Sequence, residues 1–147
     1  MQPITRGSYT STFEHTFDAK GRVTVPSAWR RENHEKSLHI FPSSQPGCIL
    51  VYPESWMGER FAEMAGLKRG DVQRRQFEAL ASIAQPAEFD EQGRIMVKEK
   101  VRQGAGLKKD VVLVGCGDHF EIWDLAIREK QAPIATNFED AAAALGL

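Results

Sequence analysis

A chain of 147 residues, 41% hydrophobic and 27% charged, has the length of one domain and the apolar content for a core. No apolar run reaches the roughly 20 residues that a membrane-crossing helix needs. The formal net charge of −1 argues against a uniformly basic binder, and two cysteines outside any Cys-x-x-Cys pair exclude a disulfide framework.

The first patterned segment is Phe17-Asp-Ala-Lys-Gly-Arg-Val-Thr-Val-Pro26. It reads as strand, tight turn and strand, because Asp and Gly favour turn geometry and the flanking alternation suits a half-buried strand. A short helix from Ser27 to about Glu32 follows Pro26, then strands at Ser37–Phe41 and Cys48–Tyr52. From Glu54 to Pro86 the period turns helical. Trp56, Met57, Phe61 and Met64 share one face, and after a break from Gly66 to Gly70 the stripe resumes at Val72, Gln76, Phe77, Leu80, Ile83 and Ala84. The expectation is a helical hairpin with Asp71 as N-cap of its second arm, its stripes packing on a sheet or, alternatively, on another subunit.

The opening pattern then returns. Phe89-Asp-Glu-Gln-Gly-Arg-Ile-Met-Val-Lys98 repeats it 72 positions on, followed by a helix from about Lys98 to Gly104, strands at Asp110–Val114 and His119–Trp123, a helix from Leu125 to Gln131, and an Ala-rich helical end from Phe138 to Leu147. Each half is too small to bury a core alone, so the halves should close on each other into one α+β domain. The expected division is a first repeat over 9–55, a helical connector over 56–86, a second repeat over 87–131 and a helical tail over 132–147.

Within the motif, Asp18 and Asp90 are expected to shape the loops through turn amides or an Arg partner, and Gly21 and Gly93 to supply backbone angles other residues resist. A fixed loop suits Arg22, since Arg reads guanine through two hydrogen bonds, whereas Lys20 suits phosphate as a mobile point charge. The first 31 residues hold Arg6, Lys20, Arg22, Arg30 and Arg31 against only Glu14 and Asp18, while Glu121, Asp124, Glu129, Glu139 and Asp140 gather later. One basic face can therefore bind phosphate on a chain near neutrality.

Enzyme signatures fail on inspection. Gly115-Cys-Gly-Asp-His-Phe120 lacks the third glycine of a dinucleotide fingerprint, and Gly104-Ala-Gly-Leu-Lys-Lys109 lacks the spacing of a P-loop. His15, His34, His39 and His119 are scattered without zinc-ligand spacing. Cys116 and His119 could meet at a strand end, but no third group is identified. No catalytic residue, cofactor or metal is expected. Both Cys48 and Cys116 read as buried free thiols, and with no export pattern at the start a reducing cytoplasm is expected.

The paired Asp18-Ala-Lys-Gly-Arg22 and Asp90-Glu-Gln-Gly-Arg94 motifs resemble those of the MraZ family, within the AbrB-like swapped-hairpin barrel proteins. Cys48-Ile-Leu-Val-Tyr-Pro53, Arg102-Gln-Gly-Ala-Gly-Leu107, Val112-Leu-Val-Gly115 and Phe120-Glu-Ile-Trp-Asp124 extend the likeness over most of the chain. The resemblance implies two AbrB-like half-units forming one small β-barrel, with the helical hairpin between them. It implies a bacterial transcriptional regulator, cytoplasmic and nucleoid-associated, assembled as a ring-shaped homo-oligomer. Its expected partner is double-stranded DNA, at direct repeats upstream of the division and cell-wall gene cluster, including its own promoter; no membrane partner is implied. Lys20 and Arg22 inherit the DNA-contacting role of the first motif, Arg94 corresponds in the second, and Arg6, in an Arg6-Gly7 pair echoing the family's opening, is a further candidate contact. The chain departs from the family in carrying Gln92 where the first copy has Lys20, and in a longer stretch from Met1 to Thr12. The rival expectation is an oligomeric protein-binding scaffold or antitoxin-like barrel, in which the turns serve only structure.

Overall fold

The computed structural model describes residues 6–131 and 138–147. The start of the N-terminal stretch and segment 132–137 of the expected tail lie outside the described residues. In chain order the elements are β1 (Thr12–Thr16), β2 (Arg22–Thr24), a single 3-10 turn (Ser27–Trp29), β3 (Ser37–Pro42), β4 (Cys48–Pro53), α1 (Glu54–Met64), α2 (Val72–Ile83), β5 (Gln85–Glu88), β6 (Arg94–Met96), α3 (Glu99–Ala105), β7 (Asp110–Gly115), β8 (Phe120–Asp124), α4 (Leu125–Lys130) and α5 (Phe138–Leu145).

Local chemistry explains most of these boundaries. Asp71 caps α2 by accepting from the Gln73 and Arg74 amides, which satisfies donors that have no partner inside the helix. Buried Asp124 caps α4 through the Ile127 amide at 3.2 Å and also accepts from the Lys108 amide at 2.9 Å. α3 stops at Gly106, whose left-handed φ of 76° turns its amide back onto the Arg102 and Gln103 carbonyls. The first-half helix is shorter than expected: Arg30 leaves the helical region at φ −126°. Trp29 turns inward, its indole N–H donating to the Thr10 carbonyl at 2.9 Å and its ring packing on Tyr9, Phe13 and Phe120.

The strands form an antiparallel six-stranded sheet in the order β1-β7-β8-β4-β3-β5 and a separate two-stranded ribbon of β2 with β6. Exchanging each strand for its repeat counterpart (β1 with β5, β3 with β7, β4 with β8, β2 with β6) leaves both orders unchanged, so the fold has an internal two-fold. Its axis passes between β4 and β8, where Ile49 faces Ile122, and between β2 and β6, where Val23 faces Ile95. The strand–turn–strand units are not self-paired hairpins. β1 pairs with β7 and β2 with β6, so both arms of the first turn bond to the second repeat. Pairing among the described strands does not close into a barrel; β1 and β5 remain as edges.

The main core gathers both halves, with Val23, Val25, Trp29, Ile49, Val51, Ile95, Val97, Leu113, Phe120 and Ile122 buried together. Apolar burial on this scale, at roughly 25 cal/mol per Å², joins two units that could not stand alone. The helical hairpin covers the sheet through a smaller cluster of Phe41, Met57 and Phe77. Its stripe is incompletely covered, since Phe61, Val72 and Ile83 are 59%, 70% and 55% exposed.

The two cysteines differ, contrary to expectation. Cys48 on β4 is buried, and burial, reinforced by the Glu121 charge, pushes its thiol up to about 12. Cys116 is exposed, because it follows the end of β7 in the turn to β8. Native protein should therefore release one equivalent of chromophore rapidly from Ellman's reagent and the second only on unfolding; two fast equivalents would contradict the burial of Cys48.

Candidate nucleic-acid interface

The two motif turns have the same geometry. In the first, the Asp18 Oδ1 accepts from the Lys20 and Arg22 amides at 2.9 Å each, and its Oδ2 accepts from the Arg22 Nε at 2.7 Å. In the second, the Asp90 Oδ1 accepts from the Gln92 and Arg94 amides at 2.9 Å each, and its Oδ2 from the Arg94 Nε at 2.8 Å. Each aspartate thus uses one oxygen to hold the loop and the other to aim an arginine. The Arg22 amide, chiefly, lowers the Asp18 carboxyl below the usual 3.8, and the Arg94 amide does the same for Asp90. Both carboxylates stay charged well into mild acid.

Gly21 and Gly93 sit at φ 80° and 75°, the left-handed region that costs a side-chain-bearing residue about 1–2 kcal/mol. Each is also covered by an arginine from the opposite repeat. A Cβ on Gly93 would lie 2.3 Å from the Arg30 Cζ, and one on Gly21 would lie 2.7 Å from an Arg102 Nη and 2.8 Å from the Val97 carbonyl oxygen. These arginines are themselves tethered, the Arg30 Nε donating to the Val25 carbonyl at 2.8 Å and the Arg102 Nε to the Val97 carbonyl at 3.0 Å.

Register decides which way the ribbon faces. Arg22 pairs with Met96 and Thr24 with Arg94, and side chains alternate across a strand. Arg22, Thr24, Arg94 and Met96 therefore share one face, while Val23 and Ile95 on the other are buried at 1% and 0% exposure. The two arginines converge on the outer face, where the Arg94 Nη1 lies 3.8 Å from the Asp18 Oδ2. Among the described residues, the Nη groups of Arg22 have no hydrogen-bond partner beyond the ribbon's own salt link through Nε. A guanidinium held by Nε with its Nη edge free is set for two parallel hydrogen bonds to a planar acceptor.

Concavities flank both turns, net basic beside the first and balanced in charge beside the second. Arg30, Arg31 and Lys36 line a cleft of about 590 Å³ beside Phe89 and Asp90, with Glu32 and Glu91 also on its wall. Arg102, Lys108 and Lys109 line one of about 450 Å³ beside Phe17 and Asp18. Of the residues expected from sequence, Lys20, Arg22, Arg94 and the four loop-shaping residues come together. Arg6 does not join them and instead pairs with Glu59 on α1. Arg102, Lys36 and Lys108 were not among the expected site residues, and Arg30 was noted only for its charge. Their signal was available: Arg30 and Arg102, and Lys36 and Lys108, recur at the same 72-residue spacing as the motifs.

Elsewhere, at the β7–β8 turn, Cys116, His119 and Glu121 bring donor atoms within 4.8 Å of one another. Sequence spacing gave no zinc set there because the third donor comes from inside β8. Burial opposes charge on His119, but hydrogen bonding with Cys116, Glu121 and Asp118 outweighs it and raises the imidazole to about 10.

Fold and site together define a two-repeat α+β protein that presents Asp-fixed arginines in pairs on a two-fold ribbon. Among known proteins it is 34% identical to the transcriptional regulator MraZ of Burkholderia ambifaria over 86% of this chain and 90% of the relative. Similar matches are MraZ of Pediococcus pentosaceus, 34% identical over 88% and 91%, and of Spiroplasma kunkelii, 33% identical over 88% and 95%. A family model described as "MraZ protein, putative antitoxin-like" matches residues 80–145. The chain belongs to the MraZ family, whose named members are transcriptional regulators. Among the described residues, no helix is long and apolar enough to cross a membrane.

Proposed function

We propose that the β2–β6 ribbon is a sequence-reading DNA surface and that the protein regulates transcription from direct repeats upstream of the division and cell-wall gene cluster, its own promoter included. The observation that carries this reading is the convergence of Arg22 and Arg94 on the outer face of a ribbon whose inner face is core. A two-stranded ribbon fits a B-DNA major groove about 12 Å wide, and an arginine with a free Nη edge matches guanine O6 and N7. Lys20, exposed beside Arg22, serves phosphate, and the flanking cleft with Arg102, Lys108 and Lys109 continues the basic track along the backbone.

The exchange of strands between repeats supports reading 9–55 and 87–131 as two swapped half-units of a single AbrB-like barrel, joined by the 56–86 connector. Several such chains in a ring would sum modest individual affinities over successive repeats, since linking sites raises avidity without new contacts. Residence on the nucleoid follows from that mode of binding.

Fluorescence anisotropy on a duplex from upstream of the gene, against a shuffled duplex at two salt concentrations, tests the reading. Tight, salt-sensitive preference for the native duplex is expected, with a log–log slope near −0.9 per phosphate neutralised. Lys20→Ala should weaken binding to both duplexes and reduce the slope by about 1; an unchanged slope would remove Lys20 from the phosphate track. The exposed Phe61, Val72 and Ile83 favour a second reading, a protein-binding scaffold, and equal weak binding to both duplexes would select it.

A further inference from the structure

The β7–β8 turn carries a cluster that the ribbon does not use. Its backbone is fixed at both ends: the Cys116 amide donates to the His119 carbonyl at 2.9 Å, and Gly117, at φ 86°, exchanges hydrogen bonds of 2.8 Å with Tyr9. The His119 ring stacks on Tyr52 with centroids 4.3 Å apart and planes 7° from parallel. Its Nδ1 lies 2.7 Å from the Asp118 Oδ1, and since a carboxylate only accepts, Nδ1 carries the proton of that bond. That leaves Nε2 aimed 3.9 Å from the Glu121 Oε2. The other Glu121 oxygen is already occupied, accepting from the Trp123 indole N–H at 3.0 Å.

We propose that the Cys116 thiolate, the His119 Nε2 and the Glu121 Oε2 form a three-donor zinc site at the tip of the β7–β8 turn. The three donor atoms lie within 4.8 Å of one another, and tetrahedral ligands at about 2.0–2.3 Å from zinc stand roughly 3.5 Å apart. Exposed Cys116 can close that gap by side-chain rotation. Thiolate with imidazole selects zinc over magnesium or calcium, which take oxygen donors. The surroundings match what metal ligands need: Asp118 on the far nitrogen of the histidine and Trp123 on the far oxygen of the glutamate each orient a donor. Three protein donors leave a fourth position toward solvent for water. Binding releases two protons to buffer, one from the thiol and one from Nε2, while Nδ1 keeps the proton it shares with Asp118.

Titration of the full-length protein with zinc, followed by calorimetry, should give one site per chain, and cobalt in its place should show a thiolate charge-transfer band. Zinc should also protect Cys116 from Ellman's reagent. Cys116→Ser and His119→Gln should each weaken binding by at least tenfold, Asp118→Ala by about tenfold to a hundredfold, and Cys48→Ser should leave it unchanged. Because Cys116 is exposed, its serine variant tests the ligand set without disturbing the core. The proposal is overturned if the native chain binds no zinc, if cobalt gives no thiolate band, or if Cys116→Ser binds as the native chain does.

Discussion

Arg22→Ala is expected to weaken binding to a cognate duplex by about 1–3 kcal/mol, roughly fivefold to somewhat over a hundredfold, and to relax discrimination at one base position. Melting temperature and oligomer size should stay unchanged. The reason lies in how the side chain is held. The Asp18 Oδ2 takes the Arg22 Nε at 2.7 Å, so the guanidinium is oriented before any partner arrives, and less ordering cost is met on binding. Arg94→Ala should behave alike, since Asp90 holds Arg94 at 2.8 Å in the same way. The double variant should depart from additivity, because the Arg94 Nη1 also faces the Asp18 carboxylate at 3.8 Å, close enough for the two sites to couple. Anisotropy titrations of the single and double variants measure both effects. Native affinity in Arg22→Ala would take the ribbon face out of DNA recognition.

Gly21→Val should cost stability as well as binding. Valine at φ 80° meets the left-handed penalty of about 1–2 kcal/mol, raised further by branching at Cβ. Its Cβ would also lie 2.8 Å from the Val97 carbonyl oxygen. That oxygen belongs to backbone and has little room to retreat. The Val97 amide donates to the Gly21 carbonyl at 2.9 Å, so displacing either strand opens the end of the ribbon. The sum should exceed about 2 kcal/mol, visible as a clear fall in melting temperature with loss of DNA affinity. Gly93→Val should cost a comparable amount, since its Cβ would lie 2.3 Å from the Cζ of an Arg30 that is itself tethered to the Val25 carbonyl, and the Val25 amide donates to the Gly93 carbonyl at 2.9 Å. Equal melting of native and Gly21→Val protein would mean that the turn has another geometry in solution.

What could be read from the sequence is what is local. The Asp-x-x-Gly-Arg turns, the Asp71 cap and the apolar alternation at Val23 and Ile95 each depend on a few neighbouring residues, and each appears in the structure with the geometry its chemistry suggests. Pairing was less legible, because alternation gives a strand its faces without naming its neighbour. The arms of each turn looked like a hairpin, yet β1 bonds to β7 and β2 to β6. Trp29 shortened a helix by burying itself against residues distant in sequence, and Cys116 escaped burial because β7 ends one residue before it. Arg30 and Arg102 reach the turn glycines across the repeats, a contact no local pattern announces. The expected barrel was an inference from likeness, and the sheet is open at β1 and β5.

The internal two-fold relates the two turns in space but does not make them equal in chemistry. A pair of identical subunits must show the same side chain at both equivalent positions. A single chain containing both copies is free of that constraint, and here Lys20 faces outward from one turn where Gln92 stands on the other, and on the shared face Thr24 of the first copy has Met96 as its counterpart in the second. Turning the ribbon end for end therefore exchanges a cation for an amide and a hydroxyl for a thioether. Whatever lies against this surface meets a head and a tail, so the ribbon suits a polar, unidirectional target better than a palindrome.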